Sequence, residues 1–298
     1  MNALDQQYTD IIREIIDNPL YIESDDRTGE GTRNVLSKTI MHDMSYGFPL
    51  INCKEVHWRT AFIEMCWMLS GQTNIRPLVI QGCNIWNEWP YEKYKELAES
   101  CQKPYYTMSG FKEAIKLDKD FAERFGSLGP VYGQQWRNWN GVDQLVQCIN
   151  QIKNNPSSRR ILIEGWNVSQ IEKMAIPPCH KTYQFTCYDN KLSLNVIQRS
   201  CDMFLGVPFN LCNAGLMLAL MAKATNKTAD KLHWHGINCH VYENHVELCY
   251  QLLRRVGVSV TYADLITLTS CDIRHPTIDE LDIVNYFPAP HIKADVAV

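Results

Sequence analysis

"KLSLNVIQRS", residues 191–200, decides how this chain folds. Leu192, Leu194, Val196, Gln198 and Ser200 lie on one side of a period-two pattern, and Ser193, Asn195, Ile197 and Arg199 on the other. That is the signature of a strand covered on one face. The strand finishes in Gln, Arg and Ser, so it presents polar groups at its edge. Working outward, "NAGLMLALMAKATN" (213–226) predicts a helix rich in small residues, and "GVSVTYADLITLTSC" (257–271) contains further strand-like segments.

Toward the N-terminus, Ile11, Ile12, Ile15 and Ile16 give residues 3–17 the spacing of an amphipathic helix. The glycine-punctuated loop "DDRTGEGT" (25–32) follows. "VHWRTAFIEMCWMLSG" (56–71) predicts a mostly buried helix ended by Gly71, with one carboxylate, Glu64, inside the apolar run. Residues 88–126 are polar and helical in pattern, which suggests a small inserted subdomain. "VDQLVQCINQIKNNP" (142–156) is another helix, closed by Pro156. There is no internal repeat or low-complexity linker. The expected architecture is one α/β (α+β) domain over residues 1–298, a mixed sheet packed with helices, carrying an insertion at about 88–126.

The chain has 298 residues, 45% hydrophobic and 21% charged, as in an ordinary globular enzyme. Its net charge of −4 and pI near 6.1 argue against a general nucleic-acid binder. Any anionic ligand must then be met by local arginines. No apolar run approaches the ~20 residues of a membrane span, and "MNALDQQYTD" has no basic-then-apolar signal character. A cytoplasmic location is expected, that of the host cell if the gene belongs to a phage. Twelve cysteines are scattered without any C-x-x-C pair, so reduced and mostly buried thiols are expected and a zinc site is not.

Four groups stand out chemically. Arg27, Arg159, Arg160 and Arg199 are singly ordinary surface charges, but together they could hold a phosphate. Glu64 either faces water or pairs with Arg59 or Lys54, or else burial raises its pKa so that it relays protons near neutrality. Asn210, after "GVPF", is a loop cap or an amide reading a donor and an acceptor on a planar base. Cys179 in "PCHKTYQF" (178–185) is a buried thiol, or a nucleophile whose thiolate a nearby cation favours. A second Cys-His pair, Cys239-His240, prevents any local decision, and spacing alone cannot bring Arg199 to Cys179.

An ordered set of longer motifs goes further: "DRTGEGT", "FPLINCK", "IEMCWMLSGQTNI", "NIWNEW", "GSLGPVYGQQWRNW", "SSRRILIEGWNV", "PPCH", "QRSCDMFLGVPFN", "HVYENH" and the terminal "VAV". From about residue 5 to Val298 the chain closely resembles the thymidylate synthase family. The resemblance implies that Cys179 attacks C6 of dUMP, activating C5 toward the methylene of methylenetetrahydrofolate, used as co-substrate without a metal. It makes Arg27 and Arg199, with Arg159 and Arg160 donated across a homodimer formed through one sheet face, the phosphate clamp. Glu64, His180 and Tyr132 would manage protons, Asn210 would read the uracil amide face, and His240 and Tyr242 the deoxyribose hydroxyl. Asp202, Gln198, Ser200 and Gly206 match nucleotide-site positions. Ile85, Trp86, Trp89, Ile176, Phe209 and Ala297 would line the folate site, leaving Cys239 a structural cysteine. Neither a membrane nor a nucleic acid is required.

The departures from that pattern bear on the product. Synthases usually continue "PFN" with Ile-Ala-Ser-Tyr, where this chain has Leu211-Cys212-Asn213-Ala214. Glu55 stands where a basic residue is usual, Asn87 where Asp is usual, and Asn52-Cys53 where Thr-Thr is usual. Loss of the Tyr ring at Ala214 could admit water, and phage nucleotide hydroxymethylases belong to this family. The expected product is therefore 5-hydroxymethyl-dUMP, with dTMP the alternative, although Trp86 and Val296-Ala297-Val298 resemble the water-excluding lid of synthases. A catalytically silent relative that binds nucleotide or RNA is a remote alternative, since it would not need Cys179, Glu64, Arg199 and Asn210 together.

Overall fold

In a computed structural model describing residues 1–23, 29–255 and 257–295, the chain opens with α1 (Ala3–Asp17), capped by the Asn2 side chain. Its four isoleucines are all buried, as their spacing predicts. Strands β1 (Tyr21–Glu23) and β2 (Thr32–Asp43) precede α2 (Trp58–Leu69). Past α2, Gly71 takes φ +78°, the left-handed conformation that glycine reaches without a Cβ penalty. Helices α3 (Arg76–Ile80), α4 (Glu88–Ser100), α5 (Met108–Leu117) and α6 (Lys119–Phe125) follow. Tyr94, Phe111, Phe121 and Phe125 stack edge-on and tilted among the last three at 4.8–5.8 Å. Phe111, Ile115 and Ala122 also join the main buried cluster.

Next come α7 (Tyr132–Arg137), α8 (Gln144–Asn154), β3 (Leu162–Glu164), β4 (His180–Tyr188), β5 (Lys191–Gln198), β6 (Cys201–Asp202), α9 (Gly206–Ala224), β7 (Thr228–Tyr242), α10 (Val246–Leu253), β8 (Asp264–Thr267) and β9 (Leu281–Val284). Seven strands form one mixed sheet, ordered β1-β2-β7-β5-β4-β3 with β6 beside β7. The β5–β7 and β6–β7 pairs are parallel and the others antiparallel. β5 alternates as its sequence predicts, with Leu192, Leu194, Val196 and Gln198 buried. Strands β8 and β9 make a separate hairpin-like pair.

Two sequence expectations need correction. The helix expected over 213–226 begins seven residues earlier, at Gly206, with Pro208 in its first turn. There the N–H groups have no partner within the helix, so proline is tolerated. The expected strand 191–200 ends at Gln198, because the chain leaves the ladder at Arg199 to start β6. Helix α9 is also 19 residues long with a mean hydropathy of 1.3, long and apolar enough to cross a bilayer, yet it lies largely buried inside this fold. Asn210 and Asn213 interrupt its apolar run, which is why no span was visible in the sequence.

Candidate active site

The β4–β5 hairpin answers what spacing could not. Cys179 immediately precedes β4 and Arg199 immediately follows β5, and His180 lies opposite Gln198 in the register. The backbone N–H of Arg199 donates to the Cys179 carbonyl at 2.8 Å. Antiparallel pairing thus brings together residues 20 positions apart. The Arg199 guanidinium is held by the carbonyls of Pro178 and Pro177, each at 2.9 Å, and lies 5.2 Å from the Trp166 ring. Stacking and two carbonyl acceptors fix the cation's plane beside the cysteine turn. The N–H of Cys179 donates to the Tyr132 hydroxyl at 2.7 Å, tying α7 to the same turn.

Glu64 sits on α2 and is 6% exposed. Arg59 pairs with Asp279 instead, and the Lys54 ammonium donates to the Phe204 carbonyl, so neither neutralises Glu64. Burial pushes its carboxyl up to about 7, against the pull of two donors: Trp86 Nε1 to Oε1 and Asn213 Nδ2 to Oε2, each at 2.8 Å. The buried-carboxyl reading is the one the structure carries. His180, stacked 4.5 Å from Tyr132, is 3% exposed, and burial alone pulls its imidazole down to about 4. It is therefore neutral at physiological pH and has one N–H and one lone pair to offer.

A second network lies along β5, β7 and the start of α9. Trp234 Nε1 donates to Gln198 Oε1 at 2.8 Å, and Gln198 Nε2 donates to Asn210 Oδ1 at 2.9 Å and to the Ser200 carbonyl at 3.1 Å. An indole can only donate, so it sets which end of Gln198 faces Asn210. Asp202, opposite His240 in the β6–β7 register, accepts the N–H groups of Phe204 and Leu205 and so shapes the entry to α9. At Gly206 a Cβ would stand 3.5 Å from Asp202 Cβ and 3.7 Å from Asn210 Oδ1, ordinary contact distances, so space alone does not demand glycine. His240 Nδ1 lies 3.0 Å from the Asn238 carbonyl, and its ring is 5.3 Å from Tyr242.

Trp86 also lies 5.3 Å from Trp89 and 6.2 Å from Tyr132, while Ile85, Ile176 and Phe209 are half-buried against the core. Flat aromatic faces beside a buried carboxyl suit a planar, partly apolar ligand such as a folate. Among the described residues, no three His, Cys, Asp or Glu side chains gather to hold a metal ion.

Two arginines stand apart within one chain. Arg159 and Arg160 are exposed in the turn before β3, where the Arg159 carbonyl accepts from Gln184 and the Ile161 carbonyl accepts from Phe185. Gln184 is five residues along β4 from Cys179, roughly 17 Å of strand. The expected positions Arg27 and Ala297, with Val296 and Val298, lie outside the described residues. Sequence reasoning missed Trp234 and Trp166, which act behind Gln198 and Arg199. The only available signal for Trp234 was its place on the buried face of an alternating strand.

The chain matches the family model described as thymidylate synthase over residues 6–298. It is 40% identical over 294 residues to the thymidylate synthase of Mycoplasma mobile, covering 98% of this chain and all of that one. The thymidylate synthase of Mycoplasma pneumoniae is also 40% identical, over 297 residues, with 98% and 100% covered. That of Novosphingobium aromaticivorans is 39% identical over 309 residues, with 98% and 96% covered. A match of nearly full length, on a fold that pairs Cys179 with Arg199 and joins Gln198 to Asn210, places this enzyme in the thymidylate synthase family.

Proposed function

We propose that this enzyme converts dUMP to dTMP in the cytoplasm, with methylenetetrahydrofolate as co-substrate. The observation carrying the reading is the backbone pairing of Cys179 with Arg199 at the head of the β4–β5 hairpin. In this reading Cys179 Sγ adds to C6 of the uracil, and the double-bond electrons move to C5 and O4. Arg199 and Arg27, with Arg159 and Arg160 of the partner subunit, hold the phosphate so that attack is effectively intramolecular. The distance of Arg159 and Arg160 from their own Cys179 turn supports a homodimer. So does the sheet face left uncovered by helices, where Met41 and Ile237 are exposed.

Asn210 Oδ1 already accepts from Gln198, which leaves its Nδ2 for uracil O4 and the second lone pair of Oδ1 for N3–H. His240 and Tyr242 meet the deoxyribose, with Ser200, Asp202 and Gly206 shaping that side. Glu64, poised near neutrality, accepts and returns protons at C5 and O4 with Tyr132 and His180 close by. When bound between Trp86, Trp89, Ile85, Ile176 and Phe209, the folate supplies the methylene carbon and, for a methyl product, the hydride. Loss of the C5 proton would break the bond between the methylene and the folate nitrogen, and hydride added to the methylene left on C5 would displace the C6–S electrons, so that Cys179 leaves as thiolate. Residues 88–126 act as an inserted subdomain.

The hydroxymethyl product expected from the altered loop becomes the second reading. The relatives named above are called thymidylate synthase, which favours the methyl product. Ala214 is fully buried, and at the adjoining Gly215 a Cβ would meet Pro49 at 2.3 Å, so the helix there packs against protein. Asn213 is what keeps the second reading: a polar amide stands beside Glu64 where serine is usual. Intact-mass measurement after incubation with 5-fluoro-dUMP and methylenetetrahydrofolate tests the shared chemistry. A covalent ternary adduct on wild type that is absent from Cys179→Ala is expected. No adduct on wild type, or an adduct on Cys179→Ala, would overturn the assignment.

A further inference from the structure

Glu64 is clamped by two donors of different kinds. Trp86 reaches Oε1 with an indole N–H, which can donate but never accept. Trp86 therefore offers no acceptor to a proton carried on Oε1. The other oxygen, Oε2, faces Asn213, whose side chain is wholly buried and whose Oδ1 has no hydrogen-bond partner. A primary amide serves both states of a carboxyl. Toward the carboxylate it presents N–H, and after a half-turn about its last bond it presents Oδ1 to a carboxylic O–H.

We infer that Asn213 is a positioning residue that directs the Glu64 proton to Oε2 and follows its arrival and departure by turning its amide. The inference rests on the proposal that Glu64 relays protons to the bound nucleotide, but the amide geometry does not depend on it. A serine hydroxyl, which can also donate or accept, should serve in place of the Asn213 amide. Because a hydrogen bond to the charged form is the stronger of the two, losing the amide raises the proton affinity of Glu64.

The direct test is an infrared titration of the protonated-carboxyl C=O band that disappears in Glu64→Gln, which needs no substrate. In Asn213→Leu its midpoint should rise by about one pH unit or more. In Asn213→Ser it should return to within a few tenths of wild type. The acidic limb of the pH–rate profile should move with it in both variants. A midpoint unmoved by Leu, or one that Ser leaves as high as Leu, would overturn the inference. If Asn213→Leu does not fold, wild type carries the test: the Asn213 side-chain amide resonance, in protein labelled with 15N-asparagine, should titrate at the Glu64 midpoint. A pH-independent resonance would overturn it. An adduct on Cys179 together with a failed titration rejects only the Asn213 role, whereas a positive titration without adduct rejects only the proposed reaction.

Discussion

Replacing Glu64 by Gln should remove a pH dependence of stability that the fold itself creates. Burial holds the Glu64 carboxyl at about 7 in the folded enzyme, against 4.5 for an unperturbed one. The folded state therefore binds more protons than the unfolded state between those values, and stability falls as pH rises through the window. The shift of 7 − 4.5 = 2.5 units, at about 1.4 kcal/mol per unit, amounts to about 3 kcal/mol lost in full above neutrality. Most of it, about 2 to 3 kcal/mol, falls between pH 5 and pH 8. Gln is close in shape: its oxygen can accept from Trp86, and its amide N–H can donate to Asn213 Oδ1, now without a partner. Urea unfolding of both proteins at one protein concentration, from pH 5 to pH 8, reads the difference from the midpoints and slopes. The gap between the curves should change by about 2 to 3 kcal/mol in favour of Gln as pH rises. Parallel curves would refute the buried, poised carboxyl.

Two further outcomes follow from the same site. Asn210→Asp should weaken use of dUMP and admit dCMP, because a protonated carboxyl meets cytosine's reversed donor pattern; competition between the two nucleotides measures it, and an unchanged preference would remove Asn210 from base reading. Inactive Arg159→Ala chains mixed with inactive Cys179→Ala chains should regain activity under subunit exchange, since one site of a mixed dimer keeps both groups. No recovery would mean that Arg159 acts within its own chain or is dispensable.

Much of this was legible from the residues. Local period and punctuation marked α1, α2 with its enclosed Glu64, and β5, because each buries one face or a whole run and so writes its geometry into spacing. The start of α9 was hidden because Gly206 and Pro208 are usual loop residues, and only their place in a first turn makes them compatible with a helix. The meeting of Cys179 and Arg199 was invisible to spacing because it depends on hairpin register, a property of pairing. Trp234 was missed for a related reason, since its partner Gln198 lies on a neighbouring strand. For Glu64, the sequence placed the residue in an apolar run but could not show that Trp86 and Asn213 would hold it there.

The central claim, transfer of a methyl group to dUMP, is tested most directly by its products. Purified protein incubated with dUMP and methylenetetrahydrofolate should yield dihydrofolate, followed by absorbance, in a one-to-one ratio with a nucleotide of dTMP mass. Tetrahydrofolate accompanied by a nucleotide of 5-hydroxymethyl-dUMP mass would contradict the account. It would show that water, admitted beside Asn213 and Ala214, completes the reaction in place of hydride.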